Sequence, residues 1–220
     1  MKKIFSLLII ILIISTLIFF PNNNSTEIKC VPIITNYMTN NDCFNTNNNI
    51  EVKGIMVHST SVPGIMANDW YNLWNKSYKY GETDREVCVH AFVDDKAIYQ
   101  YLPWEHRGWH AGGSANNNYI GFEICEPNGI VYSNDHCSII KYDFMQQQEY
   151  FDKAWNNSVY LCTFLCKQFN LTENNIICHS EGYTLGIASN HPDITHWWPL
   201  QGKNMDMFRK DVKKLLNSIY

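Results

Sequence analysis

Apolar and polar positions along the chain follow two periods. From Ile50 to Val57 alternation gives way to an apolar run that stops at His58, ahead of Ser59 and Thr60, as in a buried strand ending in a polar loop. Val87 to Gln100 (VCVHAFVDDKAIYQ) holds two apolar stretches split by Asp94, Asp95 and Lys96, and predicts a β-hairpin. Tyr119 to Glu126 (YIGFEICE) predicts another strand, with Glu123 on the face opposite Phe122 and Ile124. Ile176 to His179 is a short apolar run that again delivers a histidine.

A helical period governs the segments between. Asn68 to Tyr78 places Trp70, Leu73, Trp74 and Ser77 on one face. Asp143 to Phe169 is the longest such pattern, with Phe151, Ala154, Trp155, Leu161 and Leu165 recurring at three and four. Met205 to Ile219 predicts a closing amphipathic helix, with Phe208, Val212, Leu215 and Ile219 inside and Lys210, Lys213 and Lys214 outside. Strands and helices interleave, so the expected fold is α/β: a mixed central β-sheet flanked by helices on both faces.

At 220 residues and 45% hydrophobic content, one globular domain with a sizeable core is enough. We place it at residues 50–220, after an Asn-rich arm at 23–49 and an apolar segment at 1–22. That first segment carries Lys2 and Lys3 and then 17 residues without charge, the pattern of a secretory signal or a short membrane anchor over residues 4–20. A secreted, extracellular protein is the expectation, with membrane contact only through that segment. Export would put the eight cysteines in a compartment where disulfide bonds form, without choosing among pairings. A formal charge of -4 provides no basic field for nucleic acid, so no nucleic-acid partner is expected. A monomer suffices.

The densest chemistry lies in Ile176 to Pro199 (IICHSEGYTLGIASNHPDITHWWP), which holds His179, His191, Asp193 and His196 in one polar, Gly-broken stretch. Imidazole is the commonest protein ligand of zinc, and a catalytic zinc takes three protein ligands and leaves one position open. His58 at its strand end is the natural further donor, because a strand gives a ligand rigid support. No HExxH peptidase motif is present.

Five pieces together, GIMVHST, CVHAFVDDKAIYQYLP, RGWHAGG, YIGFEICEP and ICHSEGYTLGIASNHPDITHWW, resemble the zinc-dependent N-acetylmuramoyl-L-alanine amidases of the type 2 family, which include phage amidases and peptidoglycan recognition proteins. The resemblance implies one Zn2+ ion, bacterial peptidoglycan as substrate, and hydrolysis of the amide joining N-acetylmuramic acid to L-alanine. It implies that His58 and His179 are zinc ligands, with His191 the chosen third and Asp193 the competitor. If Asp193 is the ligand, His191 falls two positions before it, where other branches carry a lysine. Glu123 matches the catalytic glutamate, and His110 with Trp109 matches substrate-facing positions; His110 is equally suited to orienting a ligand. His90 is expected to be structural. The alternative function is a non-catalytic peptidoglycan-binding module.

Overall fold

The computed structural model describes residues 31–134 and 138–218. The apolar segment at 1–22, Cys30 and Cys137 lie outside the described residues. Six strands form one mixed sheet: β1 (Ile33–Thr35), β2 (Gly54–Ser59), β3 (Ala91–Val93), β4 (Ile98–Gln100), β5 (Tyr119–Ile124) and β8 (Ile176–Cys178), in the order β1-β4-β3-β5-β2-β8. Only β3 and β4 pair antiparallel; the other neighbours run parallel. A separate two-stranded ribbon joins β6 (Val131–Tyr132) to β7 (Ile139–Lys141).

The helices are α1 (Trp70–Trp74), α2 (Phe144–Gln168), α3 (His179–Thr184), α4 (Ile194–Trp197) and α5 (Met205–Ser218). Strand alternation sorts the core between the two faces. Ile55, Val57, Phe122 and Ile124 face one way, onto Phe151, Leu161 and Leu165 of α2 and Phe208 and Val212 of α5. Asp143 starts α2 by accepting the Gln146 N–H at 3.1 Å, which satisfies one of the orphan donors of the first turn. Met56 and Phe92 face the other way, Met56 onto Ala111 and Ala115, Phe92 onto Trp70 and Tyr101. Helices therefore cover both faces.

The hairpin predicted at Val87 to Gln100 is β3 and β4, and Asp94 closes its turn by accepting from Lys96 N at 2.8 Å and Ala97 N at 2.9 Å. Two segments differ from the pattern. The helix predicted from Asn68 to Tyr78 stops at Trp74, because the chain from Asn75 on is claimed by the N-terminal arm. Asn75 Oδ1 accepts from Asn40 N at 2.7 Å, and Ser77 Oγ donates to Asp42 Oδ1 at 3.0 Å. The arm is itself part of the domain: β1 pairs with β4 at the sheet edge, where two of its three residues are exposed and no alternation marks it. Among the described residues Cys43, Cys88, Cys125, Cys162, Cys166 and Cys178 are free and buried, so no disulfide pairs any of them. No helix of the described residues is long and apolar enough to cross a membrane.

Candidate metal centre

The parallel pairing of β5, β2 and β8 brings three carboxyl strand ends side by side, where open α/β sheets place their ligands. His58 is in register with Glu123, and Val57 with Cys178, so the next residue, His179, lies beside His58. Asp193 enters from the loop before α4 with its backbone at φ 45, a left-handed conformation uncommon outside glycine and a form of strain that clusters at functional sites. Its carboxylate is turned inward. His58 Nδ1 lies 2.7 Å and His179 Nδ1 3.1 Å from Asp193 Oδ2, and the two imidazole nitrogens lie 3.1 Å apart. All three side chains are buried.

The atoms behind these rings fix which nitrogens are bare. Tyr119 O can only accept, so His110 Nε2, 3.2 Å away, carries the hydrogen. A neutral His110 then presents Nδ1 as an acceptor to His58 Nε2 at 3.0 Å, and His58 Nδ1 is left with its lone pair. The same logic holds for His179: Ser189 Oγ donates to Ala111 O at 3.3 Å and accepts from His179 Nε2 at 3.1 Å, leaving His179 Nδ1 bare. Burial, reinforced by His58 and His90, keeps His110 well below the usual imidazole range, hence neutral. Burial also lowers His58, against the pull of Asp193. Burial opposes ionisation of Asp193, but His58, His179 and His191 together hold its carboxyl well below the ordinary value. Two lone pairs and a carboxylate oxygen thus converge with no proton assigned between them. A cation fits that corner, and this ligand set, two imidazoles and one carboxylate with a further position open, suits zinc.

Glu123 stands next to His58 across the β2–β5 pairing, and its Oε2 is enclosed without a hydrogen-bond partner among the described residues. Burial pushes this carboxyl well above its ordinary value, and the nearby Asp193 and Glu126 push the same way. His110 reaches its position because residue 121 is glycine: a Cβ there would come within 2.4 Å of the His110 ring.

The converging set is not the one expected from the sequence, because Asp193 occupies the corner assigned to His191. The His191 side chain is half exposed, and its Nδ1 bonds the outer oxygen, Asp193 Oδ1. That bond, and then the charge of Asp193, raises the His191 pKa despite partial burial. Trp109 is not brought to the corner. It pairs with Cys88 in extended form and packs with Cys43, Cys88 and Leu102, while its neighbour His110 points the opposite way. His90 is structural: its Nδ1 accepts from Gly121 N at 3.0 Å and its Nε2 donates to His106 O at 2.8 Å, and burial brings its pKa down to about 4. His196 lies outside the donor set. Its Nε2 is 2.6 Å from Tyr132 Oη, which donates to the fully buried Glu126 at 2.7 Å, and this ties α4 to the chain beyond β5. The sequence reading gave Ser189 no part in holding His179, although it lies within the fifth of the quoted pieces, and missed Tyr132, which carries no motif.

The fold and this three-donor corner define a metal-site domain of the α/β class. The family model for N-acetylmuramoyl-L-alanine amidase (Amidase_2) matches residues 48–195, and the chain belongs to that family. N-acetylmuramoyl-L-alanine amidase CwlH of Bacillus subtilis (strain 168) is 33% identical over 96 residues, 42% of this chain and 31% of that protein. The chain spans less than half the length of the curated relatives it matches. Among solved structures, PlyL superposes with a TM-score of 0.60 at 24% identity, over 83% of this chain and 98% of that one. The hydrolase AmiA of Staphylococcus aureus, solved with its ligand, gives a TM-score of 0.65 at 16% identity, over 86% and 84%. These two likenesses show the fold.

Proposed function

We propose that this domain is a zinc-dependent N-acetylmuramoyl-L-alanine amidase. It hydrolyses the amide between the lactyl carbonyl of N-acetylmuramic acid and the amine of L-alanine in bacterial peptidoglycan. The observation that carries the reading is the corner where His58 Nδ1, His179 Nδ1 and Asp193 Oδ2 meet within 2.7–3.1 Å beside the Glu123 carboxyl, whose Oε2 has no partner among the described residues. His58, His179 and Asp193 are the ligands of one zinc ion, which when bound supplies Lewis acidity for the scissile carbonyl and for water.

The other steps belong to the protein. Glu123, with its raised pKa, takes the proton of the attacking water and passes it to the leaving amine of L-alanine. His191, at the rim and favoured as imidazolium by Asp193, donates to the carbonyl oxygen as negative charge gathers on it. It serves the substrate rather than the ion. His110 and Ser189 hold the two ligand rings in the tautomers that expose Nδ1. We also infer that the protein works outside the cell, a reading supported by Lys2, Lys3 and the uncharged run that follows them.

The test is release of free stem peptides from purified cell wall. Wild type cleaves, chelated protein does not, and added zinc restores turnover. Undiminished turnover after chelation overturns the assignment.

A further inference from the structure

Asp193 is the donor of the corner whose backbone is strained, and α4 is what holds it. The residue stands just ahead of Ile194 at φ 45, and strained backbone persists only where its surroundings over-determine it. Support from α4 itself is slight. The helix is a single turn, with Thr195 N donating to Pro192 O at 3.0 Å and His196 N to Asp193 O at 3.4 Å. Ile194 and Trp197 bury it against the core, Trp197 meeting Phe151 edge-on with ring centres 5.2 Å apart. Apolar burial is non-directional, so it fixes the depth of a one-turn helix better than its rotation. Rotation decides where the Asp193 carboxylate aims.

The directional contact is made by His196, three positions after Asp193. Its Nε2 lies 2.6 Å from Tyr132 Oη of β6 and 3.3 Å from Glu126 Oε1, and the imidazole and phenol rings meet edge-on at 5.2 Å. Tyr132 Oη donates to Glu126 Oε2 at 2.7 Å. Burial, reinforced by Glu126, raises the phenol above its ordinary value, so that proton stays in place. The phenol oxygen then accepts from His196 Nε2. Glu126 is fully buried, three positions beyond Glu123 on the chain leaving β5. One set of hydrogen bonds thus joins the segment that carries Glu123 to the helix that follows Asp193. We propose that Tyr132, with Glu126 behind it and His196 in front of it, is the positioning group that sets the rotation of α4 and so aims Asp193 Oδ2 at the corner it shares with His58 and His179. The inference rests on the reading of that corner as a zinc site. Tyr132, Glu126 and His196 act through Asp193 and lie outside the donor set.

The experiment measures the zinc Kd of the full chain by competition with a chromogenic chelator, at a temperature where circular dichroism shows every variant folded. Tyr132→Phe keeps the ring and removes only Oη, and its Kd is expected to rise by about 10–100-fold, as for the loss of other groups behind a ligand. His196→Ala is expected to do the same, whereas His196→Gln, whose amide N–H can replace that of Nε2, recovers most of the loss. Val159→Ala, in the core face of α2, is the comparison. It lowers Tm, but the affinity of a protein that is already folded does not depend on its spare stability, so its Kd stays that of wild type. An unchanged Kd in Tyr132→Phe, a loss that Val159→Ala shares, or glutamine no better than alanine at 196 overturns the proposal. Should Tyr132→Phe not fold, the two His196 variants decide it. If wild type binds no zinc, the amidase reading fails separately, and amide hydrogen exchange of the metal-free protein still tests the tether. Exchange at Thr195 and His196 that is faster in Tyr132→Phe than in Val159→Ala upholds it, and equal rates overturn it.

Discussion

Replacing Glu123 with glutamine should disable the enzyme and stabilise the fold. In the metal-free protein the Glu123 carboxyl has one enclosed oxygen without a partner, close to Asp193 and Glu126, and its pKa stands well above the ordinary 4.5. A carboxyl raised on folding binds its proton more tightly in the native than in the unfolded state. The stability of the wild type is therefore unaffected by this group below its unfolded pKa and declines as pH rises through the folded pKa. Glutamine resembles the protonated acid in shape and charge and escapes that decline. Avoiding a buried, unpaired charge is worth at least about 1–3 kcal/mol, the cost of an unsatisfied buried polar group and more when that group is charged. In a domain of this size each kcal/mol corresponds to roughly 2–4 °C in Tm. Thermal unfolding of chelator-treated protein, followed by circular dichroism from about pH 4 to about pH 8, should show Glu123→Gln gaining on wild type as pH rises and matching it at the acid end. Amidase activity of the zinc-loaded variant should fall by roughly 10²–10⁴, the range for loss of a general base. A variant no more stable than wild type near neutrality, or a gap independent of pH, would refute the electrostatic account of Glu123.

Three further expectations follow from the same corner. Asp193→Ala should lose stoichiometric zinc in competition with a chromogenic chelator, whereas His191→Ala should retain the ion and lose turnover; the opposite pattern would return His191 to the ligand set. His110→Ala removes the group that holds His58 in its ligating tautomer, and zinc affinity should fall by about 10–100-fold, as for other groups behind a ligand. Gly121→Ala places a Cβ against the His110 ring, so unfolding by urea should show a loss of roughly 1–3 kcal/mol. An unchanged midpoint would mean that the ring has room to move.

Much of this was legible in the sequence because periodicity encodes it. His58 and His179 end apolar runs, and alternation alone turned Glu123 away from Phe122 and Ile124, the face that the main core fills. The choice between His191 and Asp193 was not legible. The two side chains are both metal donors two positions apart, and the outcome depends on the left-handed backbone at Asp193, which no residue type announces. Trp109 and His110 are adjacent, and only the pairing of Trp109 with Cys88 decides which of them faces the site. β1 escaped notice because an edge strand of three residues has no inner row to leave a pattern. The cysteines illustrate a different limit. Cys162 and Cys166, one turn apart on the buried side of α2, behave as small apolar residues, a role that counting thiols does not reveal.

His58 and His179 are 121 positions apart, and His58 and Asp193 are 135. An ion can be captured only after both ends of that span have been joined through the sheet, so capture reports completion of the domain rather than of any local motif. If the domain is the amidase proposed above, a chain still being synthesised, or nicked so that the two ends part, would be inert toward wall material. On the proposed reading, the arrangement acts as a built-in delay between making the domain and arming it.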